Sequence, residues 1–248
     1  MLNLKRDIKD IKRLEKILVV FFEEGLGYYL GKSKLTSHLP LIKRFSLNKK
    51  LSNNEEVAIR LRRSFEKLGP TFVKLGQLLS LRPDLVPPEF AKEFSKLQDS
   101  VKPFPFFQAK KIIEKDLGKP LNKIFRKFEK KPIASASIAQ VHQAILKSGK
   151  KVAVKVQRPN IKEIIDADLD ILFFIAYSLQ KHSKFFKNYN LVDIVKEFSF
   201  YTRRELDFNL EKRSAAKLRD ELKGNPKIKV PKIFPEQSSK KVLTMEFI

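Results

Sequence analysis

The stretch KPIASASIAQVHQAILKSGKKVAVKVQRP, residues 131–159, decides the fold, because here a strand-like pattern replaces the helical pattern of the first half. From about Arg126 to Gln157 the residues alternate in polarity and are often β-branched. Ser148-Gly149 separates two such runs, Ile138–Lys147 and Lys151–Gln157. Two runs of this kind joined by a short turn that contains glycine predict a β-hairpin.

The sequence before this stretch predicts a series of helices. Apolar residues from Leu14 to Phe22 recur at helical spacing, and Gly25 and Gly27 end that helix. Asparagine and proline mark the next helix starts, because asparagine caps a helix N-terminus and proline suits its first turn. These starts are Asn53 or Asn54 before Glu55, Gly69-Pro70, Pro87-Pro88-Glu89 and Pro105, with the last helix ending at Gly118.

The sequence after the hairpin returns to helical spacing and then to short strands. Helices are predicted at Ile161–Gln180 and Leu191–Leu222, and strands at Ile228–Ile233 and Lys241–Phe247. This order predicts an α+β fold in which helices are segregated from an antiparallel sheet. We divide the chain into an N-terminal helix and connector (1–52), a helical extension (53–125) and the lobe that contains the sheet (126–248).

Composition excludes several classes of protein. With 248 residues, 42% of them hydrophobic, the chain can bury a core, unlike a collagen or a disordered polyelectrolyte. The absence of cysteine excludes thiolate sites and the three separated histidines exclude a local zinc motif, so no metal site is predicted. Apolar runs such as Ile17–Phe22 are shorter than the roughly 20 residues of a transmembrane helix. No signal peptide is recognisable, so we expect the cytosol or the cytosolic face of a membrane.

The formal net charge of +24 predicts an anionic partner. Nucleic acid, an acidic membrane surface and phosphate groups all meet this description. The lysine-rich composition of an AT-rich genome would give the same charge without any such function.

Two features of the deciding stretch indicate phosphate binding. Lys155 ends a strand, and about 20 residues earlier comes a run of small side chains: Ala134, Ser135, Ala136, Ser137, Ile138 and Ala139. In protein kinases a glycine-rich loop covers the ATP phosphates and a strand lysine holds the α- and β-phosphates. Small side chains let the backbone approach the phosphates closely. The alternative is an ordinary lysine at the end of a strand.

Acidic residues follow in the predicted helix Leu191–Leu222. Asp207 and Glu211 are four apart and share one face of that helix, whereas Glu205 points elsewhere. A buried lysine needs a carboxylate partner, because an unpaired buried charge is very costly. We therefore predict that Lys155 lies within salt-bridge distance of Glu211, with Glu205 as the second choice. The alternative is a solvated acidic face that meets neighbouring basic residues.

Lys74-Leu75-Gly76-Gln77 lies in an apolar stretch that predicts a helix. Lys74 and Gln77 are three apart and share one face. Gly76 costs such a helix up to about 1 kcal/mol relative to alanine, which indicates that another part of the chain packs tightly there. The alternative is an ordinary surface lysine and glutamine beside a packing glycine.

Four blocks in the same order resemble the UbiB-type atypical kinase-like family, over a match that runs from about Leu61 to the final residue. The blocks are Lys67–Pro87, Ala134–His142, Val152–Pro159 and Glu205–Asp207. The resemblance implies a helical extension before the N-lobe of an atypical protein-kinase-like fold, a small antiparallel sheet with long helices.

The resemblance also implies roles for individual residues. Ala134–Ala139 would be the alanine-rich loop that replaces the kinase glycine-rich loop, with Ser135 departing from the usual alanine. Lys155 and Glu211 would serve the nucleotide phosphates. The regulatory extension that folds over the nucleotide site is implied to use Lys74, Gln77, Glu205 and Asp207. Of these, the first two are expected to face the loop.

The end of the sequence, Thr244–Ile248, resembles the strand that enters the kinase hinge, so Glu246 is implied as a nucleotide contact. No catalytic-loop Asp and no Asp-Phe-Gly occur, and Asp207-Phe208-Asn209 lies before the hinge. We therefore expect an N-terminal fragment without the C-lobe and without catalytic residues of its own. Such a fragment is expected to bind nucleotide weakly and to turn over no ATP.

For the whole protein, the resemblance implies an ATP-binding atypical kinase or ATPase that supports ubiquinone biosynthesis. Its cofactor would be ATP or ADP with Mg²⁺, and its partners acidic membrane lipid and ubiquinone-biosynthesis proteins. It would be cytoplasmic and peripheral at the inner face of the cell membrane. The alternative is a non-enzymatic basic module that binds acidic lipid or nucleic acid. No nucleic acid is expected, because the aromatic residues form no recognisable RNA- or DNA-binding motif.

Overall fold

The computed structural model describes residues 8–28, 53–97, 102–182, 190–225 and 227–248. The chain forms two compact units. The helical unit comprises residues 1–99 and 163–200, and the sheet unit comprises residues 100–162 and 201–248. The domain divisions that the sequence predicts at residues 52 and 125 stay a prediction. The predicted α+β fold, with an antiparallel sheet beside many helices, is confirmed.

In the part of the helical unit that the structure describes, there are four complete helices and most of two others. These are α1 (Ile8–Glu23), α2 (Asn54–Leu68), α3 (Pro70–Ser80), α4 (Pro88–Phe94), α7 (Ile161–His182) and α8 (Leu191–Glu205). The Asn53 side chain caps α2 by accepting a hydrogen bond from the Glu56 N–H at 2.8 Å. Gly69, with φ of 96°, turns the chain directly into α3, where Pro70 occupies the first turn. The starts predicted at these residues are confirmed.

Aromatic rings and one ion pair hold the helical unit together. The centre of the Phe65 ring lies 5.9 Å from the centre of the Phe72 ring and 5.3 Å from that of the Phe94 ring. Asp168 of α7 is fully buried, and its carboxylate accepts hydrogen bonds from Arg13 Nε at 2.6 Å and Arg13 Nη2 at 3.0 Å. Helices that are distant in sequence are therefore joined by a bidentate charged contact.

Among the described residues, the sheet unit contains five strands, three complete helices with parts of two others, and a 3₁₀ turn. Its own elements are α5 (Phe106–Leu117), α6 (Leu121–Ile124), β1 (Phe125–Phe128), β2 (Ala134–Ser135), β3 (Ala139–Leu146), β4 (Lys151–Gln157), α9 (Phe208–Glu221), the turn Pro235–Gln237 and β5 (Val242–Glu246). The sheet is antiparallel in the order β1-β3-β4-β5, and β2 pairs with β3. The predicted hairpin is confirmed, with Gly149 at φ of 82° in its turn.

The two faces of strand β4 have different environments, because successive side chains of a strand point to opposite sides. Val152, Val154 and Val156 are fully buried in a core that includes Ala109 and Ile113 of α5. Helix α5 therefore covers one face of the sheet. The intervening residues of β4, including Lys155, are only partly buried and belong to the other face.

The prediction of one helix over Leu191–Leu222 is wrong. Helix α8 ends at Glu205 and α9 begins at Phe208. Asp207 lies between them with extended backbone, and its side chain caps α9 by accepting a hydrogen bond from the Asn209 N–H at 3.0 Å. Asp207 and Glu211 are therefore a cap and a first-turn residue rather than two residues within one helix.

Two long-range hydrogen bonds hold this break. The Phe208 N–H donates to the Lys240 carbonyl oxygen at 3.1 Å. Gln157 Nε2 donates to the Leu206 carbonyl oxygen at 2.8 Å. Each bond comes from a residue more than 30 positions away, so local periodicity could not reveal the break.

The strand predicted at Ile228–Ile233 reduces to a single bridge between Ile233 and Met245. Pro231 lies in this segment and has no N–H to donate to a ladder. The strand predicted at Lys241–Phe247 is present as β5. Among the described residues, no helix is both long and apolar enough to cross a membrane.

Candidate functional site

Lys155 lies two residues before the end of β4, rather than at the end as predicted, and projects from the face opposite α5. Its Nζ lies 2.9 Å from Glu211 Oε1 and 2.7 Å from Glu211 Oε2 on α9. The contact that the sequence predicts is present, and the acid is the first choice, Glu211. The side chains are 24% and 43% exposed, so the pair lies at a surface that a ligand can reach.

Groups at the start of α9 hold the Lys155 ammonium in position. Its Nζ is 4.9 Å from the centre of the fully buried Phe208 ring, at the start of α9. Gln157, two residues further along β4, binds the Leu206 carbonyl just before that helix. One strand therefore binds both the start of α9 and the acid in its first turn. The Lys155 ammonium therefore lies close to both carboxylate oxygens of Glu211 at the edge of α9.

The predicted loop Ala134–Ala139 forms a tight turn between β2 and β3. The Ala136 N–H donates to the Ala139 carbonyl oxygen at 2.8 Å. Ser137, Ile138 and Ala139 are buried, whereas the first residues of the loop are more exposed. The small residues are spaced as in Gly-x-Gly-x-x-Gly-x-Val, with Val141 at the position of the valine.

A cleft of about 490 Å³ opens beside Lys155 and Glu211. Besides these two, its walls are formed by the loop residue Ile138 and by residues at the end of α8 and the start of α9: Tyr201, Arg204, Glu205, Asp207, Leu210 and Ser214. Ligand-binding clefts typically have volumes of roughly 300–1,000 Å³. The cleft thus combines a small-residue loop, a lysine and acidic groups.

Glu205 and Asp207 lie in this cleft but do not take the place of Glu211 as the ion-pair partner of Lys155. Asp207 caps α9, and its Oδ2 is 3.9 Å from Lys240 Nζ. Glu205 is exposed at the last turn of α8. Their implied contacts with the helical extension stay a prediction.

Glu246 ends β5, and its side chain already has protein partners. Oε1 lies 3.0 Å from Lys229 Nζ, and Oε2 accepts a hydrogen bond from the Lys232 N–H at 3.3 Å. The Lys229 ammonium, followed by the Lys232 N–H, lowers the pKa of Glu246. The Glu246 N–H also has a partner, since it donates to the Lys232 carbonyl oxygen at 2.7 Å. A nucleotide contact at this position stays a prediction.

The Lys74–Gln77 motif lies on α3 of the helical unit, and its glycine has a clear packing role. A Cβ at Gly76 would lie 2.2 Å from Leu97 Cδ1 and 2.9 Å from Phe65 Cδ2. Gln77 Nε2 donates to the Leu97 carbonyl oxygen at 3.2 Å. Lys74 is partly buried on the same helix. That Lys74 and Gln77 face the loop of the sheet unit stays a prediction.

Sequence reasoning missed the residues that follow Lys155. Gln157 and Arg158 bind main-chain carbonyls of the helix break and of the loop. Such partners have no side-chain signature, and the only signal was that both residues lie close behind a candidate site lysine. Within the described ranges, no group of three or more His, Asp or Glu side chains could hold a metal ion.

The ABC1 atypical kinase-like domain family matches residues 96–248, which is more than half of the chain. The chain belongs to this family. The match includes strands β1 to β5, the loop, Lys155 and Glu211. The resemblance derived from the sequence motifs is thereby confirmed.

Two relatives are similar to this chain over most of the chain's length. It is 40% identical over 245 residues to "Probable protein kinase UbiB" of Marinobacter nauticus, covering 96% of this chain and 44% of that protein. It is 43% identical over 204 residues to "Protein ACTIVITY OF BC1 COMPLEX KINASE 7, chloroplastic" of Arabidopsis thaliana, covering 82% of this chain and 29% of that protein. The chain thus spans less than half the length of these relatives.

One solved structure, a complex of Rv3197 from Mycobacterium tuberculosis with erythromycin, is similar to this chain. The TM-score is 0.53 at 27% sequence identity, and the match covers 79% of this chain and 51% of that one. This similarity supports the kinase-like arrangement of sheet and helices.

Proposed function

We propose that this ABC1 chain binds the phosphates of ATP or ADP in the cleft beside Lys155, as part of an atypical kinase or ATPase. The observation that carries the proposal is the Lys155–Glu211 ion pair at 2.7 Å on the open face of β4. It joins the strand lysine to the α9 helix, as the corresponding lysine–glutamate pair does in active protein kinases. The Ala134–Ala139 loop lies at the same cleft through Ile138.

The residues present fit a nucleotide phosphate. Lys155 supplies a localised positive charge on a wall of the cleft. Glu211 keeps that charge in place, and small side chains at positions 134–137 and 139 allow close approach of a backbone. Mg²⁺ bound with the nucleotide would supply further neutralisation of phosphate charge.

Replacement of Lys155 by Met tests the proposal in the 248-residue chain. The Kd for ATP, measured by calorimetry, should rise at least about tenfold, because a charge-assisted hydrogen bond to phosphate is lost. Lys147→Met is the matched control, since Lys147 is an exposed lysine at the end of the same hairpin. Equal ATP affinity in both variants would contradict the proposal and indicate binding through overall charge.

Phosphoryl transfer by the whole protein, in support of ubiquinone biosynthesis, is the accompanying proposal. It is supported by the family match and by relatives named "Probable protein kinase UbiB". For the 248-residue chain alone we expect binding without turnover, because its sequence contains no Asp-Phe-Gly metal-binding motif. ATP hydrolysis that depends on Lys155 would contradict this expectation.

We further propose that the outer face of α5 binds an acidic membrane surface. Residues 102–131 contain ten lysines and arginines but only three acids: Glu114, Asp116 and Glu129. Each acid has a protein partner. Glu114 accepts a hydrogen bond from the Leu121 N–H at 2.8 Å, Asp116 accepts one from the Lys241 N–H at 3.2 Å, and Glu129 lies 2.7 Å from Lys127.

The outer face of α5 also exposes an aromatic ring. Phe107 is 67% exposed, and Lys110, Lys111 and Lys115 lie within two turns of it and are exposed as well. The opposite side of α5 packs on the sheet through Ala109 and Ile113. Lysines around an exposed ring on an amphipathic helix favour anionic headgroups over base-specific contacts. A bilayer bound here would leave the cleft on the other face of the sheet open.

The chain contains no tryptophan, so Phe107→Trp gives a single fluorescent reporter. Its emission should shift to the blue with vesicles of phosphatidylcholine and phosphatidylglycerol but not with phosphatidylcholine alone. Leu218→Trp, at an exposed apolar position of α9, is the control and should show no shift.

Joint replacement of Lys110, Lys111 and Lys115 by Gln should weaken vesicle binding roughly a hundredfold, at about 1 kcal/mol per lysine. The control removes the same charge at three exposed lysines elsewhere: Lys217, Lys223 and Lys227. Equal losses in the two triple variants would contradict the membrane surface. So would loss of binding to an RNA oligonucleotide without loss of vesicle binding.

A further inference from the structure

Arg158 binds the small-residue loop at three points. Its N–H donates to the Ile138 carbonyl oxygen at 2.8 Å. Its Nε donates to the Ala136 carbonyl oxygen at 2.8 Å, and its Nη2 donates to Ser135 Oγ at 2.8 Å. One residue just after β4 therefore binds the beginning, the middle and the far side of the loop.

Arg158 is itself held in place by the segment before α5. Nη2 also donates to the Lys102 carbonyl oxygen at 3.0 Å, and the guanidinium lies 5.5 Å from the centre of the buried Phe104 ring. The main chain of Phe104 is bound in turn by Gln140, whose Oε1 accepts the Phe104 N–H at 3.0 Å and whose Nε2 donates to its carbonyl at 3.3 Å. Gln140 directly follows the loop. Arg158 and Gln140 therefore both connect the loop to the segment around Phe104.

We propose that Arg158 is a positioning residue that holds the Ala134–Ala139 loop in the conformation that receives nucleotide phosphates. The inference rests on the proposed function of the cleft. A loop of small side chains has few groups with which to fix its own conformation, and ordering it costs backbone entropy. The planar guanidinium, with its donors in a fixed fork, binds two loop acceptors at once, which an ammonium group does less well. A loop ordered in advance binds its ligand more tightly.

The proposal also gives a role to the Ser135 hydroxyl. Its Oγ is an acceptor for Arg158 that an alanine would lack. Ser135→Ala should therefore loosen the loop slightly, because it removes one of three contacts and leaves the two carbonyl contacts in place.

A purely structural role for Arg158 would be to attach the segment around Phe104 to the sheet. The two roles differ in their effect on ligands. If Arg158 positions the phosphate loop, its loss weakens the binding of ligands that carry phosphates and spares the binding of adenosine. If it only stabilises the sheet unit, ATP, ADP and adenosine are weakened alike.

The first experiment measures the Kd of the 248-residue chain for ATP, ADP and adenosine by calorimetry. Arg158→Gln should weaken ATP and ADP binding about tenfold, as expected for the loss of charged hydrogen bonds, and change adenosine binding less than about twofold. Arg158→Lys should restore part of the ATP affinity. Arg126→Gln, at an exposed arginine of β1, is the control and should match the wild type.

The second experiment needs no ligand. Hydrogen exchange of the loop amides should be faster in Arg158→Gln and slightly faster in Ser135→Ala, with the amides of β4 and β5 unchanged. Unchanged loop exchange would overturn the proposal, as would an equal loss of ATP and adenosine affinity. A wild-type chain that binds no ATP would instead refute the proposed function, while the exchange experiment still decides whether Arg158 orders the loop.

Discussion

Each unit has a buried polar contact that anchors its elements, and the chemistry of this anchor differs between the two units. In the helical unit the anchor is ionic, since the fully buried Asp168 carboxylate accepts two hydrogen bonds from Arg13 at 2.6 and 3.0 Å. In the sheet unit the anchor is neutral. Gln140 and His142 are also fully buried, and the side-chain Nε2 atoms of the two lie 2.8 Å apart. His142 Nδ1 lies 2.9 Å from the Glu129 carbonyl oxygen, and the Phe104 main chain completes the network.

The difference predicts how much stability each unit should lose when one polar partner of its anchor is removed. Removing one partner of a buried ion pair leaves an uncompensated charge, which is among the most costly single changes. Removing a neutral amide leaves unpaired main-chain groups, which costs less. A neutral network that contains histidine has a sensitivity of its own, because protonation puts a donor where an acceptor is needed.

The largest effect is expected for Asp168→Ala. It leaves the Arg13 guanidinium, whose side chain is only 20% exposed, without its carboxylate, and should destabilise the helical unit by about 3 kcal/mol. Hydrogen exchange of the amides of α1 and α7 measures the loss. Asp193→Ala, which removes an exposed acid paired with Lys196, is the control and should leave exchange unchanged. Equal effects of the two variants would contradict an anchoring role.

A smaller effect is expected for Gln140→Leu in the sheet unit. The variant keeps the apolar volume but leaves the N–H and carbonyl groups of Phe104 without their partners, at a cost of about 2 kcal/mol. Gln143→Leu, at a partly exposed position of the same strand, is the matched control. The loss of stability in each variant can be measured by urea denaturation and by hydrogen exchange of the β3 and β4 amides. A larger loss from Gln143→Leu would show that the network is not the anchor.

The smallest effect is a pH dependence from His142. Burial lowers the pKa of His142, and the hydrogen bond to the Glu129 carbonyl opposes this only in part. The unfolded chain therefore takes up a proton below about pH 6.5, where the folded chain still does not. Stability from this group is complete above that pH and declines as the pH falls, by at most about 1.4 kcal/mol per pH unit.

Unfolding measured between pH 7.5 and 5 should show this decline in the wild type and a flatter profile in His142→Gln. The comparison of the two profiles removes the contributions of the other two histidines. Identical slopes would contradict a neutral His142 in the folded sheet unit. The helical unit, whose anchor contains no histidine, should lack this component of the slope.

Local chemistry explains which parts of the fold the sequence could predict. Gly69-Pro70, the helix start at Pro105 and the Ser148-Gly149 turn each depend on the conformational preferences of one or two residues. The break at Leu206–Asp207 depends instead on hydrogen bonds from Gln157 and to the distant Lys240, so helical periodicity continued through it.

The candidate site divides in the same way. Lys155 and Glu211 could be paired in advance because a lysine charge in the sheet needs a carboxylate. The contacts of Arg158 could not be predicted. All but one of the hydrogen bonds described for it are donated to main-chain carbonyls, which every residue carries. The break in the helix also changed the role of Asp207 from a residue within a helix to a cap.

The close packing at Gly76 couples two positions of the Lys74–Gln77 tetrapeptide. Any side chain there acts as a wedge against Leu97 and Phe65. Displacement of Leu97 also moves the carbonyl oxygen that Gln77 binds at 3.2 Å. One steric event therefore disturbs two positions of a short motif, the packing of Gly76 and the hydrogen bond of Gln77.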